Sequence, residues 1–162
     1  MTNNQSKTEK SNEMNGMNYG KFALTMGISF LVMYSVMFLN IVDINHFYIS
    51  LTRIYMTLLM VSLMAIIMLL MMGKMYPNKK TNNLIIIGSI VVFGLVLTAL
   101  RTQTPVGDEQ YMKAMIPHHS SAILTSQNAN IKDPELRKLA DGIIEAQKKE
   151  IAEMKAILAR MK

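Results

Sequence analysis

The sequence predicts an all-α protein: three transmembrane helices followed by a helical hairpin beyond the membrane. Two observations predict it. Of the 162 residues, 51% are hydrophobic, and most of these gather in three long runs instead of spreading as a soluble core would. Beyond Asp108 the runs stop, and apolar residues recur at helical spacing among charged ones.

The first run, Phe22 to Val42, has no charged residue and one Asn; the second spans Ile54 to Gly73 and the third Leu84 to Leu100. As helices these runs measure roughly 25–31 Å, close to the thickness of a bilayer's hydrocarbon core. The basic flank of Lys7, Lys10 and Lys21 raises the alternative of a signal peptide for the first run. That run is longer than a cleavable apolar region, and no small-residue cleavage site follows it, so it reads as a retained anchor.

Orientation follows from the short segments. Lys7, Lys10 and Lys21 precede the first span and Lys74, Lys79 and Lys80 lie in the second connection, whereas the first connection holds only Arg53. The positive-inside rule then predicts a multi-pass cell-membrane protein with a cytoplasmic N-terminus and an extracytoplasmic C-terminal domain. The net charge of +6 is divided between these loops and a mixed-charge C-terminal segment, so it says little about nucleic acid, and no nucleic-acid partner is expected. The expected organisation is a disordered cytoplasmic tail (1–20), a three-span anchor (21–101), a linker (102–107) broken by Pro105 and Gly107, and a hairpin domain (108–162).

Within the hairpin, Asp108 reads as the N-cap of a helix running to about Gln127, and Asp133 as the N-cap of a second helix with Pro134 at its first position. The inward seam of the second helix traces as Leu136, Ala140, Ile143, Gln147, Glu150, Met154, Ile157 and Met161, interrupted in its middle by polar residues. In the first helix, Met112, Met115 and His119 share a face, His118 sits about 100° round, and Pro117 loosens the turn that carries both histidines. Equal rise from the turn places His119 level with Ile144 to Gln147 and Met112 level with Ile151 to Met154. Soft and basic groups of one helix thus face the polar break of the other.

Thioether sulfur and imidazole nitrogen suit copper, above all Cu(I). The chain has 17 methionines and no cysteine, so such a site would be spared thiol oxidation outside the cytoplasm. The ligands read from this pattern are Met115, His118, His119 and Met154, with Met112 as a further thioether and Glu150 as an acceptor that orients an imidazole. Methionine at helical spacing is also ordinary core filler. The stripe Met56, Met60, Met64, Met68 and Met72 in the second span reads as packing or lipid-facing before it reads as a copper path. His46 reads as an interfacial histidine.

The stretches "YMKAMIPHHSSAI" and "LRKLADGIIEAQKKEIAEMKAIL" also resemble the bacterial domain of unknown function family 305. The matching positions are Met115, His118, His119, Ala122, Ile123, Gln147, Glu150, Ile151 and Met154, within about residues 105–162. The chain departs from the pattern at Leu124 and Thr125, where family members often carry Met. The resemblance implies a ferritin-like half-bundle, often extracytoplasmic, with members linked to copper binding and tolerance.

The function expected is that of a membrane-anchored copper-binding protein in copper tolerance or handling, not an enzyme. Its expected partners are the lipid bilayer, a second copy joined through the hairpin, and copper-export or copper-oxidising proteins. A di-iron enzyme would need Glu-x-x-His pairs, and neither His118 nor His119 has Glu three residues before it. A copper redox enzyme and a metal-free structural or interaction module are the alternatives.

Overall fold

A computed structural model describes residues 19–73 and 75–161. The order is α1 (Thr2–Val36), a single 3-10 turn (Ile44–His46), α2 (Leu51–Met71), α3 (Lys79–Thr102), α4 (Asp108–Asn128) and α5 (Pro134–Arg160), with no strand among the described residues. Among the described residues, three segments are long and apolar enough to cross a membrane: Tyr19–Val36, Leu51–Met71 and Lys79–Thr102. The tail expected to be disordered lies outside the described residues as far as Asn18.

The chain divides into two compact units. One joins α1 up to Met33 with Tyr55–Thr102. Its small core is Phe22, Ala65, Leu69 and Tyr76, with Met68 packed against it. Tyr76 meets Phe22 edge-on at 5.6 Å between ring centroids. The Tyr19 hydroxyl donates to Asn82 Oδ1 at 2.6 Å, and Asn82 Nδ2 donates to the Tyr76 carbonyl at 2.7 Å. The methionine stripe of α2 is split, because Met68 packs inward while Met56, Met60 and Met72 are exposed.

The other unit joins Tyr34–Ile54 with Gln103–Lys162. The connection between the first two spans therefore packs with the hairpin, which the sequence did not reveal. The helix of the first run stops at Val36, six residues short of the expected Val42. The chain turns there through bonds from Phe38 N to the Ser35 carbonyl and from Leu39 N to the Val36 carbonyl. Val42 N donates instead to Ser120 Oγ of α4 at 2.8 Å.

α5 begins as expected: the Asp133 carboxylate accepts from Leu136 N at 2.7 Å and Pro134 follows. α4 differs by one residue. Its N-cap is Gly107, with no side-chain bond, and Asp108 is already helical and contributes negative charge to the first turn. α4 continues through Pro117, which is fully buried.

The hairpin core is Met112, Ile116 and Ile123 of α4 against Ile151, Met154 and Leu158 of α5, with Tyr48, Met115 and Ile144 packed around it. The inward seam of α5 is thus Ala140, Ile144, Ile151, Met154 and Leu158, which corrects the expected line through Ile143, Glu150 and Ile157. Leu136, Ile143, Ile157 and Met161 are exposed. The two lines run about one residue apart round the helix, and the line that avoids Glu150 buries an unbroken apolar set, so it turns inward.

Candidate functional site

α4 and α5 bring five of the six expected ligand residues to their interface. Met112 and Met154 lie in the buried cluster and Met115 packs against it. His119 is 8% exposed. Its Nδ1 turns back along α4 and donates to the Met115 carbonyl at 2.9 Å. Its Nε2 lies 2.6 Å from Glu150 Oε2 on α5. A carbonyl can only accept, so Nδ1 is the donor of that bond, and Nε2 faces the carboxylate.

His119 was expected level with Ile144 to Gln147 and instead meets Glu150, about one turn further along. The cause is side-chain direction. Every helical Cβ leans toward its helix's own N-terminus, so in this antiparallel pair the imidazole reaches away from the turn while the carboxylate reaches toward it.

His118 is set apart. It is exposed, and its ring centroid is 6.1 Å from that of His119. Among the described residues no three of His, Cys, Asp and Glu gather as a metal-holding group. Met112, Met115 and Met154 bring thioether sulfur to the same interface.

His46 is the residue that sequence reasoning undervalued. It is buried, and its Nδ1 lies 2.9 Å from Ser120 Oγ, the hydroxyl that also accepts from Val42 N. Burial, reinforced by the charge of Lys155 and opposed by Asp43, pushes the imidazole below the usual histidine range. Asp43 caps the 3-10 turn, and the bond it accepts from Asn45 N lowers its own pKa. Beside them is a cavity of about 310 Å³ lined by Val42, Asp43, His46, Ile123, Gln127, Lys148 and Ile151. The Asp-x-x-His spacing at a 3-10 turn was visible in the sequence, but nothing there tied it to Ser120.

With a paired-histidine helix facing a Gln-x-x-Glu-Ile-x-x-Met helix, the chain belongs to the family defined by the domain of unknown function DUF305, whose model matches residues 95–158. A relative from Acanthamoeba polyphaga mimivirus, the uncharacterized protein L153, is 37% identical over 149 residues, covering 90% of this chain and 96% of that one. The likeness thus extends through the apolar helices as well as the hairpin, and this relative is not bacterial. No solved structure matches the chain.

Proposed function

We propose that this is a membrane-anchored, extracytoplasmic copper-binding protein that takes Cu(I) as cargo in copper tolerance or handling, and that it is a binding protein, not an enzyme. The supporting observation is that Met112, Met115 and Met154 share the hydrophobic cluster of the helix–helix interface across which His119 pairs with Glu150. Thioethers and imidazole select a soft monovalent ion over zinc or iron. Met115, His119 and Met154 would hold the ion, with Met112 as a further thioether and His118 as the donor nearest solvent. Glu150 orients the His119 ring from the opposite helix, as carboxylates do for ligating histidines. The lipid bilayer, a second copy paired through the hairpin, and copper-exporting or copper-oxidising proteins are the partners of this reading.

One observation favours a metal-free structural module instead. Both ring nitrogens of His119 already have partners, and Met112 and Met154 pack among Ile116, Ile123, Ile151 and Leu158. Titration of the purified full-length protein with Cu(I) against a chelating competitor separates the two. Stoichiometric binding supports the copper reading, and its absence supports the structural one.

A further inference from the structure

The first connection, residues 37–50, has two chemically opposite faces. One holds α4 by polar bonds: Asn40 Nδ2 donates to Ser121 Oγ at 2.7 Å, and Val42 N and His46 Nδ1 both meet Ser120 Oγ, at 2.8 and 2.9 Å. At its end Leu51 N donates to Gln110 Oε1 at 3.0 Å, while Tyr48 packs on the hairpin core. The other face presents large apolar groups outward: Leu39 is 78% exposed, Ile44 77%, Ile49 61%, and Phe47, whose ring also stacks on Phe38 at 4.1 Å between centroids, 46%.

The chain itself says what covers this face. Residue 37 follows the last residue of one helix apolar enough to span a membrane, and residue 50 precedes the first residue of another. Ile44 lies eight residues from Val36 and seven from Leu51, so even full extension keeps it within about 28 Å of both helix ends. Turn bonds at Phe38, Leu39 and Ile41 and the 3-10 turn shorten that reach. Four large apolar groups on so short a segment are costly in water and favourable at the boundary between headgroups and acyl chains.

We infer that this connection is an interfacial clamp, which buries Leu39, Ile44, Phe47 and Ile49 in the bilayer's headgroup–acyl boundary while its polar face holds α4 through Ser120, Ser121 and Gln110. The inference rests on the membrane-spanning reading of the helices and adds that the hairpin is fastened at the lipid surface. α4 is then tied to the rest of the chain by the first connection as well as by the linker.

The chain contains no tryptophan, so a single substitution supplies an unambiguous fluorescent reporter. Full-length Ile44→Trp and Phe47→Trp are placed in bilayer nanodiscs whose lipids are brominated either near the headgroup or deep in the acyl chain. Ile90→Trp, mid-way along α3, reports on the span, and Glu145→Trp, exposed on the polar side of α5, reports on water. The clamp requires at least twofold quenching of the first two by shallow bromine and weaker quenching by deep bromine. Ile90→Trp should be quenched most by deep bromine, and Glu145→Trp by neither. Unquenched Ile44→Trp and Phe47→Trp beside a quenched Ile90→Trp would overturn the clamp alone. A blue-shifted but unquenched signal would overturn it too, because protein and not lipid would then cover the face. An unquenched Ile90→Trp would overturn the spanning reading, and the clamp with it.

Discussion

His119 of α4 and Glu150 of α5 meet across the hairpin at 2.6 Å, and the imidazole's other nitrogen donates to the Met115 carbonyl at 2.9 Å. The ring is thereby fixed at both nitrogens, although the carboxylate side chain is about half exposed, at 51%.

Removing the carboxylate should therefore weaken the hairpin modestly. Glu150→Ala leaves a mostly buried Nε2 without its partner and should cost about 1–2 kcal/mol, solvent screening at the half-exposed glutamate keeping it below the value for a buried pair. Glu150→Gln retains a hydrogen-bonding group and should cost less. Native-state hydrogen exchange at the α4 and α5 amides measures both. Unchanged protection in Glu150→Ala would mean that the bond contributes nothing to stability.

The docking of the first connection should depend on pH through His46. Its pKa is lowered in the fold, below the ordinary 6.5, so the unfolded or undocked imidazole takes up a proton first. Stability is then fully present above about pH 6.5 and is lost as pH falls from there through the lower, folded value. Exchange of the Val42 amide, which donates to Ser120 Oγ beside His46, should accelerate over that window after correction for intrinsic rates. His46→Gln should remove the pH dependence; a dependence that persists would assign it to another group.

How much of this was legible in the sequence depends on the range of the interaction. The helix starts at Asp133-Pro134, the three apolar runs and the face shared by Met112, Met115 and His119 are local signals, and the structure has them. The family resemblance also rested on local motifs, and the family model matches them. The partner of His119 was misplaced by about a turn because equal rise fixes Cα levels, not the directions in which side chains lean. The attachment of Val42 and His46 to Ser120 joins residues more than seventy positions apart, and periodicity carries no information about such pairs.

Topology can be read with reporter fusions. A reporter placed after Lys162 should be active only outside the cytoplasm, and one inserted within residues 75–83 only inside it. The reverse pattern would place the hairpin in the cytoplasm and remove the argument from cysteine avoidance.

Assembly is predicted from the outer face of α5. Leu136, Leu139, Ile143 and Ile157 are exposed, and a two-helix domain of this size is marginal by itself. Full-length protein in mild detergent should be a dimer by light scattering, forming a four-helix bundle, and Leu139→Lys with Ile143→Lys should make it a monomer. A monomeric wild type with a well-protected hairpin would contradict this.

Cu(I) affinity of the full-length protein, measured by chelator competition in three variants side by side, bears most directly on the copper site. Replacing His118 and His119 with Ala should abolish tight binding and leave the helical content nearly unchanged. Replacing Met115 and Met154 with Leu keeps the packing volume, so the fold should persist while Cu(I) binding weakens by at least tenfold and Cu(II) binding by less. Wild-type Cu(I) affinity in the Leu variant would make the thioethers core filler, and failure of the wild type itself to bind Cu(I) in stoichiometric amount would contradict the copper reading outright.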